Sequence, residues 1–238
     1  MDRPPVLVLQ HDPDDGLKLL AEPLLAAGLT LDPCMAWRGE LPSTLQGFAG
    51  LIVLGSVACL SQGDTPSWLP QERNLIDEAL QHELPVLGIC FGAQHLAMAA
   101  GGEVRRAATP ELGWHEVQLT ERAPGDVLTA SLGARFHAFQ WHYDEVVLPE
   151  AGTLLAEANG MVQAFRVGSS AWGLQFHLEV DAGSILTWQG SAGGELEAVG
   201  VNLDQLNETT DAYSAANRAR AERLAKAFAG QVLTKRSR

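Results

Sequence analysis

A cysteine between an apolar run and a helical pattern constrains the fold of this chain more than any other feature. Residues 85–89 (PVLGI) form a short apolar run typical of a buried strand, and Cys90 follows them directly. Residues 91–100 have the small and apolar side chains of a helix that packs on a sheet. Gly88 and Gly92 flank the cysteine, and glycines at this spacing let a strand and a helix approach closely around a tight turn. The pattern predicts a strand–turn–helix elbow that exposes a nucleophilic thiol.

Strand and helix patterns alternate in the part of the chain before this elbow. Buried strands are predicted at residues 5–10 and 49–54, and amphipathic helices at residues 16–27 and 68–82. Such alternation favours a parallel sheet that is covered by helices on both faces. We therefore expect an α/β fold with a flavodoxin-like, mainly parallel sheet flanked by helices.

The second half of the chain departs from this alternation. After Gly102 the segments are short, β-rich and bounded by turns, which predicts a β-meander added to the parallel core. From Asp181 the pattern is helical again and predicts a C-terminal helix on the outside of the domain. No repeat or linker divides the chain, so we expect a single domain over residues 1–238, with a core at about 1–190 and a helical extension at about 191–238.

The negative charge of the chain restricts its partners. The 238 residues include 29 acidic and 16 basic side chains, which gives a formal net charge of −13 at pH 7. A surface of this sign repels phosphate groups, so nucleic acid and anionic membranes are not expected as partners. The chain has neither a leader pattern nor an apolar run of about 18 residues, and its 3 cysteines are widely spaced. These features predict a cytoplasmic protein without a metal site or a cofactor.

A histidine that can serve the thiol as a base lies far downstream, in residues 173–180 (GLQFHLEV). Glu179 follows His177 by two residues, and on an extended backbone both side chains leave the same face. The carboxylate would then hold the imidazole in one tautomer while the other ring nitrogen meets the thiol. The same H-x-E pattern also occurs at exposed polar strand ends. Together with the elbow, however, it favours a Cys–His–Glu triad.

Several blocks of the sequence resemble the class I (triad-type) glutamine amidotransferases, and in particular the stand-alone GMP-synthase-like members. The blocks are PVLGICFGAQHLAMAAGG, TPELGWHEVQL, FQWHYDEVVLPEAGTLLA, VQAFRVG and WGLQFHLEV, in the order of that family. The resemblance implies that Cys90 is the nucleophile, that His177 is the general base and acid, and that Glu179 orients the histidine. It also implies that glutamine is the substrate and that the partner is an ammonia-accepting synthetase.

The resemblance further implies an oxyanion hole made by backbone N–H groups. The N–H of Phe91 is the natural first donor, because it opens the helix after the nucleophile. In the family the second donor comes from a glycine-glycine-proline loop, and Gly55 and Ser56 occupy that place here without a proline. Leu178 stands where the family usually has a proline between the histidine and the glutamate. Neither departure removes a catalytic side chain.

Other polar residues of these blocks are candidates for binding the substrate. The resemblance assigns this role to Gln94, Trp141 and His142, for which a helix-surface position or strand packing is the simpler alternative. The remaining histidines have no partner at a recognisable spacing and are interpreted as surface or packing residues; they are His11, His82, His95, His115 and His137. Cys34 and Cys59 are interpreted as bystanders.

Three functions remain open from the sequence. The first is a glutaminase that supplies ammonia to a separate synthetase, since the chain has no G-x-x-x-x-G-K-[ST] loop with which to activate an acceptor itself. The second is a free-standing hydrolase of γ-glutamyl amides or peptides. The third is a non-catalytic regulatory or binding subunit in which the altered oxyanion loop has abolished turnover.

Overall fold

Strands alternate with helices in the first half of the chain and follow one another in much of the second. The computed structural model describes residues 4–235; residues 1–3 and 236–238, at the ends of the predicted 1–238 domain, lie outside this range. The strands are β1 Val6–Gln10, β2 Leu31–Met35, β3 Gly50–Val53, β4 Val86–Ile89, β5 Glu103–Leu119, β6 Arg135–Val147, β7 Gly152–Ala158, β8 Met161–Val167 and β9 Ala171–Leu174. The helices are α1 Ala21–Ala26, α2 Leu69–Gln81, α3 Phe91–Ala99, α4 Ala182–Ala192, α5 Glu195–Ala198 and α6 Leu203–Lys235.

Within residues 4–235, these strands form one sheet in the order β2-β1-β3-β4-β9-β8-β7-β5-β6. The first five strands of this order pair in parallel, as in flavodoxin-like sheets; they are β2, β1, β3, β4 and β9. The remaining strands pair antiparallel and extend this sheet. The predicted α/β fold, with its mainly parallel sheet, added β-meander and C-terminal helix, is confirmed.

Two features of the sheet differ from the sequence-based prediction. Strand β2 was not predicted, because Asp32 and Pro33 interrupt its apolar pattern; both are exposed, and a proline is tolerated on an edge strand. The meander strands are longer than expected, since β5 has 17 residues and β6 has 13. A register shift between Arg106 and Glu111 lets β5 continue across an irregularity that resembles a strand end in the sequence.

The parallel part of the sheet is buried on both faces. Val6 and Val8 of β1 join a core cluster with residues of α1 and α6, whereas Leu7 and Leu9 point to the opposite face and pack with residues of α2 and α3. Burial on both sides explains why these strands are continuous apolar runs. Within residues 4–235, no helix combines the length and the hydrophobicity needed to cross a bilayer.

The parallel pairing also explains where polar side chains meet. The carboxyl ends of β1, β3, β4 and β9 lie at one edge of the sheet, since parallel strands share one direction. The segments that follow these strands carry His11, Gly55, Cys90 and His177, respectively. Ligand sites of open α/β sheets lie at this edge.

Candidate active site

Cys90 occupies a tight turn between β4 and α3. Its backbone has φ 53° and ψ −107°, a conformation that costs a residue with a side chain on the order of 1–3 kcal/mol. A Cβ at Gly88 would lie 2.5 Å from the carbonyl oxygen of Gly92, and a Cβ at Gly92 would lie 2.1 Å from that of Val53. Both glycines are therefore required for strand and helix to approach this closely. The structure thus forms the elbow that the glycine spacing predicts.

His177 lies with its ring between Glu179 and the thiol. Its Nδ1 is 2.6 Å from Oε1 of Glu179, and its Nε2 makes no hydrogen bond within residues 4–235. Although burial disfavours the charged ring, the Glu179 carboxylate and the Cys90 sulfur raise the pKa of His177 well above its ordinary value. The carboxylate holds the Nδ1–H tautomer, so Nε2 is the atom available for proton exchange.

The segment that carries His177 and Glu179 is held by neighbouring elements. The side chain of Asn217, on α6, donates hydrogen bonds to the carbonyls of Leu178 (3.2 Å) and Val180 (3.0 Å). The indole of Trp188 packs edge-on against the His177 ring, with 5.1 Å between centroids. Asn217 and Trp188 come from the predicted C-terminal helical region and were not recognised from the sequence, because nothing in a helical pattern indicates which residue reaches the site.

A cavity of about 450 Å³ opens above Cys90. This volume lies within the range of small-molecule sites, about 300–1,000 Å³. Its lining includes most of the candidate site residues, namely Gly55, Ser56, Cys90, Phe91, Gln94, Trp141, His142 and His177. Glu179 lies behind His177 and is buried. The structure therefore brings together residues from four separate parts of the sequence.

Gln94 lies one helical turn after the thiol and is buried. Its Nε2 is 3.3 Å from Oε1 of Gln175, and Nε2 of Gln175 lies 3.7 Å from the Cys90 sulfur. Gln175 was missed in the sequence. It precedes His177 by two residues, the same spacing as Glu179 on the other side, and that alternation was the available signal.

His142 is buried and bonded on both ring nitrogens. Its Nδ1 donates to the carbonyl of Asp144 (2.9 Å), and its Nε2 lies 3.2 Å from Oε2 of Glu111. Although burial favours the neutral acid, hydrogen bonds from His142 and Asn159 lower the pKa of Glu111. The neighbouring Trp141 reaches Cys90 through its backbone, since its carbonyl oxygen is 3.8 Å from the Cys90 sulfur. Both candidates line the cavity, but the polar atoms of His142 already have protein partners.

The loop after β3 lies beside the imidazole of His177. A Cβ at Gly55 would be 3.5 Å from Cε1 of His177, and the carbonyl of Gly55 accepts a hydrogen bond of 2.7 Å from Nδ1 of His11. The hydroxyl of Ser56 accepts a hydrogen bond from the N–H of Ala58 (3.1 Å), which closes the following turn. Gly55 and Ser56 are thus positioned by contacts on both sides of the loop.

Two interpretations of single residues require correction. His11 and His95 do have a partner, because both are buried and hydrogen-bonded to the carboxylate of Glu72. The available signal was Glu72 itself, an acidic residue on the apolar face of α2. Cys59 is not remote from the site, since it lines the cavity and lies 3.2 Å from a carboxylate oxygen of Asp144.

Asp15 contributes a carboxyl group to the lining of the cavity, and burial, with the nearby carboxylate of Asp12, raises its pKa from 3.8 to about 6. The carboxyl group of Asp15 therefore binds its proton more tightly in the folded protein than in the unfolded chain. The free energy of unfolding consequently falls as the pH rises from about 4 to about 6.

We predict that Asp15→Asn raises the free energy of unfolding at pH 7.5 by about 1–3 kcal/mol and has little effect near pH 4.

Urea unfolding at the two pH values measures this difference. Asp14→Asn is the matched control, because Asp14 is exposed and should change stability by less than about 0.5 kcal/mol. An equal gain for Asp15→Asn at both pH values would contradict the prediction.

A family model, individual proteins and a solved structure all match this chain. Residues 32–185 match the family model for glutamine amidotransferase class-I. The chain is 38% identical over 135 residues to one subunit of the glutamine-hydrolyzing GMP synthase of Sulfurisphaera tokodaii, covering 54% of this chain and 70% of that protein. It is 36% identical over 144 residues to the GMP synthase of Porphyromonas gingivalis, covering 59% of this chain but only 27% of that protein.

Among solved structures, the fold matches that of a glutamine amidotransferase from Thermotoga maritima. The TM-score is 0.85 at 27% identity, and the match covers 96% of this chain and 99% of the other. The chain therefore corresponds over its length to the Thermotoga maritima protein, whereas it spans about a quarter of the Porphyromonas gingivalis GMP synthase.

Proposed function

The chain belongs to the class-I glutamine amidotransferase family, and we propose that it hydrolyses the side-chain amide of glutamine and delivers the ammonia to a separate synthetase. The observation that carries this proposal is that Cys90 and His177 line one cavity, while Oε1 of Glu179, behind the histidine, lies 2.6 Å from its Nδ1. The name of the Sulfurisphaera tokodaii relative, which is one subunit of a glutamine-hydrolyzing enzyme, supports the choice of glutamine and of a separate acceptor protein.

In the proposed first half-reaction, the Cys90 thiolate attacks the side-chain carbonyl carbon of glutamine. The carbonyl π electrons move to oxygen, and the N–H groups of Phe91 and Ser56 stabilise the resulting oxyanion. His177, which carries the former thiol proton on Nε2, transfers it to the amide nitrogen. The carbon–nitrogen bond then breaks, ammonia leaves, and a γ-glutamyl thioester remains on Cys90.

In the second half-reaction, water attacks the thioester and Nε2 of His177 takes up its proton. The carbon–sulfur bond breaks, glutamate leaves, and the thiolate is regenerated. Glu179 stabilises the imidazolium that is present before the first transfer and forms again in the second, which agrees with the raised pKa of His177. Helix α3 begins directly after Cys90, so the positive end of its dipole lies beside this residue.

The decisive experiment follows glutamate and ammonia during incubation of the pure protein with glutamine. We expect hydrolysis by the parent and none by Cys90→Ala. A glutamine-like alkylating agent should label Cys90 before Cys34, because burial raises the pKa of the Cys34 thiol to about 11. Preferential labelling of Cys34 or Cys59, or hydrolysis that persists in Cys90→Ala, would contradict the proposed nucleophile.

The free-standing γ-glutamyl hydrolase is retained as a second candidate because of the charge of the cavity. Among the described residues, its lining contains the carboxyl groups of Asp12, Asp14, Asp15 and Asp144 and no lysine or arginine. An acidic lining favours substrates whose leaving group is an amine that becomes cationic. Turnover of a γ-glutamyl amine faster than glutamine, without stimulation by a synthetase, would favour this candidate over the amidotransferase.

A further inference from the structure

A buried histidine connects the loop after β3 with helices α2 and α3. Nδ1 of His11 is 2.7 Å from the carbonyl oxygen of Gly55, and its Nε2 is 2.6 Å from Oε2 of Glu72. The other oxygen of Glu72 is 2.7 Å from Nδ1 of His95, on the helix that begins after Cys90. These three side chains are almost fully buried, and none of them takes part in the chemistry described above.

The partners of His11 determine where its protons are. A carbonyl oxygen only accepts hydrogen bonds, so Nδ1 must carry a hydrogen toward Gly55. Although burial favours the neutral acid, His11 and His95 lower the pKa of Glu72, and the resulting carboxylate also accepts from Nε2. The ring has little room to rotate, since Trp68 and Phe91 pack against it with centroids at 4.5 and 5.1 Å.

The carbonyl that His11 binds belongs to the same peptide unit as the N–H of Ser56. This unit is planar, and no cis peptide bond occurs in residues 4–235, so its C=O and N–H point in opposite directions. A hydrogen bond that fixes the Gly55 carbonyl on His11 therefore also fixes the N–H of Ser56 on the side away from His11. Without this bond the peptide unit could rotate and withdraw the donor.

We propose that His11 is a positioning residue, which orients the 55–56 peptide unit so that the N–H of Ser56 serves the oxyanion hole. Glu72 and His95 couple this orientation to α3, the helix whose first residue supplies the N–H of Phe91. The network thus sets both oxyanion donors relative to each other. This inference rests on the proposed glutaminase function, since it assigns the donor a role in that reaction.

The test compares two substitutions whose amide groups lie near different ring nitrogens of His11. His11→Gln places an amide near Nε2, toward Glu72, and removes the donor to Gly55. His11→Asn places its amide nitrogen near Nδ1 and retains that donor. We expect His11→Gln to lower kcat for glutamine by about 10²-fold, the effect of one lost oxyanion donor, with KM unchanged, and His11→Asn to recover most of the activity.

A second measurement separates positioning from effects on the thiol or on folding. Alkylation of Cys90 by iodoacetamide displaces iodide and forms no oxyanion, so its rate should be the same in the parent and in His11→Gln. The exposed His82 offers the matched control, and His82→Gln should leave both rates unchanged. Alkylation that slows in parallel with kcat, or equal losses in His11→Gln and His11→Asn, would overturn the proposal.

The orientation of the 55–56 peptide unit can be tested separately from the proposed function. A parent protein that hydrolyses neither glutamine nor another γ-glutamyl amide would refute the glutaminase. The role of His11 would then be decided by crystal structures of the parent and of His11→Gln. We expect the 55–56 peptide unit to be rotated in His11→Gln and retained in His11→Asn, and an unchanged orientation in His11→Gln would overturn the inference.

Discussion

Replacing His177 with alanine should lower kcat for glutamine by about 10²–10⁴-fold, because the substitution removes the group that transfers protons in both half-reactions. Glu179→Gln should be less damaging. Its side-chain oxygen can still accept from Nδ1 and hold the tautomer, and only the negative charge that stabilises the imidazolium is lost. Steady-state kinetics of the two variants, with the exposed Glu208→Gln as a control, measures the difference.

The relative losses of kcat in His177→Ala and Glu179→Gln test the separate roles proposed for the two residues. Glu179 contacts His177 at 2.6 Å and does not line the cavity, so its effect must pass through the histidine. The double variant should therefore be no less active than His177→Ala alone. Variants as active as the parent would show that this segment does not belong to the active site, and a larger loss in Glu179→Gln than in His177→Ala would refute the assigned roles.

The second large effect is expected from Gly92→Ala, which places a methyl group inside the elbow. The added Cβ would lie 2.1 Å from the carbonyl oxygen of Val53 and 2.7 Å from its carbon, and both atoms belong to the backbone of β3. Strand and helix must separate to relieve this contact. We expect a loss of about 2–4 kcal/mol in the free energy of unfolding, a large part of the stability of an ordinary domain.

A second glycine in a helix provides the control for this substitution. Gly230 lies in α6, and a Cβ there would have no atom within 4 Å. Gly230→Ala should therefore stabilise the protein by about 1 kcal/mol through helix propensity alone. Urea unfolding followed by circular dichroism gives both values. If Gly92→Ala unfolds at the same urea concentration as the parent, the close approach at the elbow is not required for stability.

The parts of the fold that could be predicted from the sequence depend on contacts between near neighbours. The apolar runs of β1, β3 and β4 are long enough to be recognised, because these strands are buried on both faces. Strand β2 lies at the edge with exposed side chains, so its sequence lacks that signal. The elbow at Cys90 was recognisable for the same local reason, since the glycines that it needs lie two residues away.

The proposed Cys–His–Glu triad was predictable only in part from its own pattern. Alternation along an extended segment placed His177 and Glu179 on one face, and together with the elbow it favoured a triad with Cys90. The resemblance to a family then assigned the role of each residue. Cys90 and His177 meet because β4 and β9 are parallel neighbours. The sequence of one strand does not indicate which other strand it pairs with. Gln175, which also contacts the sulfur, depends on the same pairing.

Near neighbours in the chain specify the local geometry, namely the elbow at Cys90 and the common face of His177 and Glu179. The polar side chains that support this geometry come from distant parts of the chain, and the packing of the fold selects them. His11 lies 61 residues from Glu72, and no spacing rule connects two such residues. They meet because β1 and α2 pack on the same parallel sheet, where a buried carboxylate requires partners and accepts whichever donors the fold brings within reach.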